Sequence, residues 1–477
     1  MIKRILAFLP AFFLAWAATA QSNGIPYTLI ITHASLVDAV HNQVIKNRLV
    51  AISGQRISAI DTMSRLGRYK ALRYVDAKGQ YLIPGLWDMH IHLRGGKQLV
   101  AANKKLLPLF LVNGITTVRE CGGDMTDSVL QWRKMIEAGT LAGPKIYTAG
   151  RKIDGPNPTW AGSIAVQTAA DVSRALDTLQ QLGVDFVKVY DSKISREAYL
   201  ETIGQAQQRG LTVTGHMPFT VELREAVDAG LDASEHLYYV FKACSAKEDS
   251  ITEVVRQTEH STAPLGLFGA LPALYNSFDN AKAHALFAYL AKQHCAVVPT
   301  LAVSNTLQHL AENDHASDTL LQYIDPGIQA TYAQRFNSAR RQTAATHAFM
   351  QQFEEKATAM VPQLYAAGVM VLAGSDCGAS NSFVYPGTSL HDELKLMVAA
   401  GLTPAQALCT STVNGSAFMK AGAVYGSLGA GKSSDLVILA ANPLENINAI
   451  DQISFVLAHG KLYDREDLDQ LLKRIKQ

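Results

Sequence analysis

Along the middle of the chain, short apolar β-rich runs alternate with longer stretches of helical pattern. The runs are 82–92, 115–119, 145–149, 186–190, 211–216, 233–236, 296–300 and 370–376. Each is followed by a polar or glycine-containing stretch and then by helix-like sequence such as 195–208. Strand alternating with helix predicts a parallel sheet. Eight repeats at this chain length predict an α/β fold, a (β/α)8 TIM barrel. Two stretches, 241–293 and 302–364, exceed what a strand-to-helix connection needs. They are expected to form a lid or wall over the C-terminal ends of the strands.

The two chain ends read differently. Residues 27–31, 48–52 and 57–60 are short β-rich runs, with Gly54, Gln55 and Arg56 marking a turn. Residues 436–439 and 453–458 are similar, and His459, Gly460 and Lys461 mark a turn after them. Neither end can stabilise so few strands alone. The expectation is a small β-sandwich built from both ends, with residues 21–82 and 425–477 flanking a barrel at 83–424.

The first twenty residues change the picture. Lys3 and Arg4 open the chain, residues 5–17 are apolar, and Ala18, Thr19 and Ala20 form a small-residue cleavage site. This layout predicts a signal peptide at 1–20 and an exported protein, periplasmic or secreted. The apolar run is short for a bilayer span, and no later stretch of 18 apolar residues exists. No membrane association is therefore expected after cleavage.

Composition narrows the partners. Of 477 residues, 48% are hydrophobic and 18% charged, which excludes a disordered chain. Lys and Arg number 43 against 41 Asp and Glu, and cleavage leaves 41 of each sign. With neither a basic excess nor a basic stripe, nucleic acid is not an expected partner. A small-molecule substrate is expected, and a homo-oligomer stays open. Cys121, Cys244, Cys295, Cys377 and Cys409 are far apart and do not imply a disulfide scaffold.

Candidate chemistry gathers at the ends of the predicted strands. His90 and His92 stand two apart, so on a strand they share a face and can bind one cation. That pair alone also fits two ordinary strand histidines. Lys188 sits in the otherwise apolar run 186–190, where an inward ammonium is costly unless paired or neutralised. His216, His236 and Asp376 each end a run. Singly these are bland. Together they place ligand-type side chains on five strands, at the end of a barrel where active sites form.

On these residues the chain resembles the amidohydrolase superfamily. The likeness is to its binuclear-metal branch, near the imidazolonepropionase-like and Xaa-Pro dipeptidase-like members. It covers residues 27–465 and rests on 83–92 (IPGLWDMHIH), 114–119 (GITTVR), 401–408 (GLTPAQAL) and 429–439 (GAGKSSDLVIL). The resemblance implies that His90, His92 and Asp376 hold a more buried metal, and that His216 and His236 hold a second. It implies a carbamate on Lys188 bridging the two; with unmodified Lys188 the site would be mononuclear. Two divalent ions follow, zinc first, with manganese, cobalt or iron as alternatives. A metal-bridging hydroxide would attack an amide-like carbonyl, with Asp376 as general base.

Other residues have more than one reading. Tyr190 shares the inward face of Lys188 and is a candidate to stabilise an oxyanion, or else a core-edge aromatic. Tyr238 and Tyr239 follow His236 and are candidate pocket walls. Arg119 is a candidate for a substrate carboxylate, or for a salt bridge with Glu120, Asp124 or another carboxylate. The expected function is exported, metal-dependent hydrolysis of a dipeptide or N-acyl amino acid. The alternatives are a lactone, cyclic-amide or organophosphate-ester hydrolase on the same site, or a non-catalytic binding protein with a degenerate site.

Overall fold

In the strand Tyr27–Asp38 successive residues face opposite sides, and both sides are covered. Leu29 and Ile31 pack into one apolar cluster with Val50, Ile52, Leu436 and Leu457. Ile30 packs on the other side with Leu49 and Ala51. These facts come from a computed structural model, which describes residues 26–258 and 265–476. The expected signal peptide at 1–20 lies outside the described residues, as do positions 259–264 of the first long insertion.

Tyr27–Asp38 is the hub of an eight-stranded sheet. The order is Lys461–Tyr463, Ile453–Ala458, Leu436–Leu439, Tyr81–Pro84, Tyr27–Asp38, Gln43–Ser53, Arg56–Thr62, with Ala71–Asp76 beside Tyr27–Asp38. Leu436–Leu439 pairs antiparallel with Tyr81–Pro84, so strands from the two chain ends lie in one sheet. The pairing is one sheet, however, and the two separate sheets of a sandwich are not seen among the described residues. The hub strand has 12 residues and takes parallel partners on each of its halves, Ala71–Asp76 on the first and Tyr81–Pro84 on the second. One long strand thereby ties all the others into a single sheet.

The run 82–92 is divided between two sheets at Gly85. A Cβ there would stand 2.1 Å from Thr116 Oγ1, so only glycine allows this close crossing. Beyond it, Leu86–Ile91, Ile115–Glu120 and Lys145–Thr148 form a three-stranded parallel sheet. Ile164–Ala165, Ile153–Asp154, Val187–Val189, Val213–Gly215, Ala233–Glu235 and Ala296–Val298 form a second, six-stranded one. The fold is mixed α/β of the TIM-barrel type, but these strands pair as two parallel sheets rather than one closed ring.

Residues 370–377 run between the two sheets without forming a regular strand. Leu372 N–H donates to Val297 O at 2.9 Å, Met89 N–H to Ala373 O at 2.8 Å, and Asp376 N–H to His90 O at 2.7 Å. Two features keep the segment irregular. A Cβ on Gly374 would lie 2.7 Å from His90 Cβ, and Asp376 has φ +55°, outside strand geometry.

Helices cover the strands in the ordinary amphipathic way. Ala169–Leu182 buries Val172, Ala175, Leu176 and Leu179, a stripe at helical spacing, and Thr168 with Asp171 closes its N-terminus as a capping box. The second long insertion lies over the loop that follows Asp376. Arg335 Nε donates to Ser380 O at 2.8 Å, and Ser380 N–H donates to Thr331 Oγ1 at 2.8 Å. Among the described residues, no helix is long and apolar enough to cross a membrane. All five cysteines are buried and unpaired.

Candidate metal centre

Four imidazoles and one carboxylate meet where the strands end. His90 Nε2 lies 3.3 Å from His92 Nε2 and 3.5 Å from Asp376 Oδ1. His92 Nε2 lies 3.3 Å from the same oxygen. His236 Nε2 lies 3.1 Å from His216 Nε2 and 3.9 Å from Asp376 Oδ2. His90, His236 and Asp376 satisfy the spacing a single ion needs. Local backbone makes the convergence: His236 and Asp376 have φ of +64° and +55°, sparsely populated values for residues with a Cβ.

The outward nitrogens decide what the inward ones are. His90 Nδ1 is 2.8 Å from Glu235 Oε2, and His92 Nδ1 is 3.0 Å from Gly122 O. His236 Nδ1 is 2.6 Å from Thr300 Oγ1, whose own hydroxyl donates to Pro299 O. His216 Nδ1 faces Asp191 Oδ1 at 3.3 Å. Each partner is an acceptor, which places a hydrogen on Nδ1; in His92, His216 and His236, which burial keeps neutral, the Nε2 lone pair then turns inward. Burial, then Lys152 and Arg94, holds His92 well below the usual histidine range. Burial, then Lys188 and Lys152, does the same to His216. Burial, then His216, does it to His236.

His90 differs. Burial opposes its charge, but Cys121, Glu235 and Asp376 outweigh that and Lys188, and push it up to about 9. A proton there stands where an ion would. Burial likewise opposes charge on Asp376, yet His90, His92 and His236 hold its carboxyl well below the usual range. Asp376 Oδ1 is buried with no hydrogen-bond partner.

These features fit divalent metal. Two neutral imidazoles aiming lone pairs at each other across 3.1 Å repel unless a positive centre lies between them. A deprotonated, undonated carboxylate oxygen beside them is the matching hard ligand. Lys188 completes the set: fully buried, its Nζ has no hydrogen-bond partner and lies 3.5 Å from Glu235 Oε1. A family-level comparison agrees. A model described as "Amidohydrolase family" matches residues 81–463.

The chain belongs to the amidohydrolase family.

Solved amidohydrolase-type structures share its fold. A bottromycin amidohydrolase superposes with TM-score 0.69 at 22% identity, covering 95% of this chain and 91% of that one. A Xaa-Pro dipeptidase with methionine bound in its active site superposes with TM-score 0.65 at 19% identity, covering 91% and 99%. Among curated sequences, adenine deaminase of Staphylothermus marinus is 27% identical over 227 residues, 43% of this chain and 35% of that protein. Adenine deaminase 2 of Latilactobacillus sakei is 29% identical over 156 residues, 32% of this chain and 25% of that one. The matched stretch spans between a quarter and just over a third of the length of these relatives.

The remaining expected site residues divide. Tyr190 is half-buried, its ring centre 4.2 Å from that of His216. Tyr239 donates to Asp191 Oδ2 at 2.7 Å, and Tyr238 to Glu354 Oε1 at 3.3 Å, so both hydroxyls are engaged by carboxylates. Of the two readings of Arg119, the geometry shows a salt bridge with another carboxylate. The residue is fully buried, its Nη2 donates to Glu235 Oε1 at 2.7 Å and its Nε to Met89 O at 2.6 Å. It makes an internal ion pair and is not exposed to a substrate carboxylate. The carboxylate partner is Glu235, not Glu120 or Asp124. Glu235, Asp191 and Thr300, which orient the histidines, were missed in the sequence. The available signals were an acidic residue inside the run 233–236, and polar residues at or one past the ends of two others.

Proposed function

We propose that this amidohydrolase hydrolyses an amide-like C–N bond in a dipeptide or N-acyl amino acid. His90, His92 and Asp376 would hold one divalent ion, and His216 with His236 a second, zinc first. Lys188 would bridge them as a carbamate, a form that removes the cost of a buried ammonium with no hydrogen-bond acceptor. Bound ions supply Lewis acidity and lower the pKa of water in the site.

The chain's own groups do the rest. Asp376, whose Oδ1 would face the ion, takes a proton from the attacking water on its other oxygen and returns it to the leaving nitrogen as the C–N bond breaks. An acid and an amine result, and the carboxylate is restored. Tyr190, beside His216, donates its hydroxyl to the oxygen that gains charge at the attacked carbon. Glu235, Gly122, Thr300 and Asp191 fix the imidazole orientations. The residues 370–377 are read as the eighth stave of the barrel. Export remains part of the reading and rests on the pattern of residues 1–20.

The observation that carries the proposal is the set of four inward Nε2 atoms around Asp376. A second reading, deamination of adenine, is favoured by the names of the partial relatives. Both are tested by incubating the metal-loaded full chain with dipeptides, N-acetyl amino acids and adenine. Turnover of the amides is expected, falling at least ~1000-fold in Asp376→Asn. Ammonia release from adenine alone would replace the first reading with the second. Equal turnover by parent and Asp376→Asn would remove Asp376 as the base.

A further inference from the structure

Lys152 is a buried amine that, among the described residues, donates to no hydrogen-bond acceptor. It is 2% exposed, and it follows the strand Lys145–Thr148 on the loop at the catalytic end. Its Nζ stands 4.9 Å from the ring centres of both Trp160 and Tyr190. Among the described residues it makes these aromatic contacts and no ion pair. Cation–π contact offsets only part of the cost of burying an ammonium.

Two other buried cations show what a structural solution looks like here. Lys242 donates to Phe219 O at 2.9 Å and Val221 O at 2.6 Å. Arg119 has Glu235. Burial, then Arg94 and Lys188, holds Lys152 well below the usual lysine range; Asp376 and Glu120 oppose this from a distance, and neither bonds it. Arg94, over the Trp160 ring at 3.9 Å, is held by the fold through Ala379 O and Asn381 Oδ1. Lys152 therefore has donors to spare.

Its position links those donors to the metal centre. The Tyr190 ring touches Lys152 on one side and His216 on the other, at 4.9 and 4.2 Å. Its charge reaches His92, His216 and Asp376. In an N-acyl amino acid the carboxylate lies two bonds from the nitrogen that departs, a short reach from the attacked carbonyl.

We propose that Lys152, framed by Trp160 and Tyr190, receives the substrate's free carboxylate and so selects amides that carry one. This rests on the amide-hydrolase reading above and names its specificity element. The occupant supplies the acceptor that the fold withholds, and the two rings exclude water from the pair.

The test is equilibrium binding by calorimetry, to the metal-loaded full chain, of ketomethylene analogues of N-acetyl-L-amino acids, which have no C–N bond to cleave, and of their carboxamides, with turnover of the N-acetyl-L-amino acids themselves measured apart. The parent is expected to bind the acids at least ~10-fold tighter than the carboxamides. In Lys152→Met that preference falls to within about twofold, and in Lys152→Arg it survives. A parent without the preference overturns the proposal and needs no variant to do so. A preference that persists in Lys152→Met also overturns it. Turnover is scored separately: if the parent binds acids selectively yet cleaves none, the hydrolase reading falls and the carboxylate site stands.

Discussion

The floor and the wall of the site treat buried charge in opposite ways. On the floor, Arg119, Glu235 and His90 form a closed chain of contacts at 2.7 and 2.8 Å, with Lys188 3.5 Å away. On the wall, Lys152 and Arg94 stack on Trp160, and Lys152 bonds to no acceptor among the described residues. Lys152 and Arg94 are buried residues, as Arg119 and Glu235 are, so burial of the charged side chains does not separate the two regions. What separates them is whether the fold supplies the counter-charge. Where it does, the charge orients ligands. Where it does not, the charge is available to something that arrives.

That contrast can be broken first at the floor. Arg119→Met leaves Glu235 buried without its main partner. A loss of about 3–5 kcal/mol is expected in denaturant unfolding. Lys152→Met, its counterpart on the wall, removes a cation that has no partner, and is expected to leave stability unchanged within about 1 kcal/mol or to raise it. Equal losses in the two variants would erase the distinction.

A smaller effect sharpens the role of the outer acceptors. Thr300→Val removes the oxygen that holds His236 Nδ1 at 2.6 Å. The inward lone pair of His236 is then no longer fixed, and metal affinity measured by chelator competition should fall ~10–100-fold. An unchanged affinity would show that Thr300 does not set the tautomer.

The smallest effect concerns a buried carboxyl whose charge is felt by Asp88 and His90 of the floor. Burial raises Glu393 to about 8 from an ordinary 4.5, although it accepts Ala302 N–H at 2.7 Å. Between those values the folded chain keeps a proton that the unfolded chain has released. This group's contribution to stability therefore falls as pH rises through that window, and is flat above it. Glu393→Gln keeps the acceptor and removes the titration. Its gain in Tm should be near zero at pH 5 and about 2–4 °C at pH 8. The same gain at both pH values would remove Glu393 from the account.

The sequence shows the inward ligands better than their supports. His90 and His92 are legible because strand periodicity forces residues two apart onto one face. His216, His236 and Asp376 are legible because each ends an apolar run. Glu235 is harder: it pairs with Arg119 across 116 positions and with His90 across 145, separations that no local pattern encodes. Lys152 is hidden for the same reason, since its surroundings come from Trp160 and Tyr190 on other loops and strands. The division of the run 82–92 at Gly85 is invisible to periodicity because both halves are equally apolar; contact with Thr116 decides it. The single eight-stranded sheet depends on one long strand holding two partners, which pairing alone reveals.

The claim beneath all of this is that the four inward Nε2 atoms and Asp376 grip divalent metal. It is tested most directly by the metal content of the purified full chain after exhaustive dialysis. The expected result is two divalent ions per chain, lost together with activity after chelation and reduced in His216→Ala. Metal no higher than in the chelated control, after growth with added zinc, manganese, cobalt and iron, would contradict it.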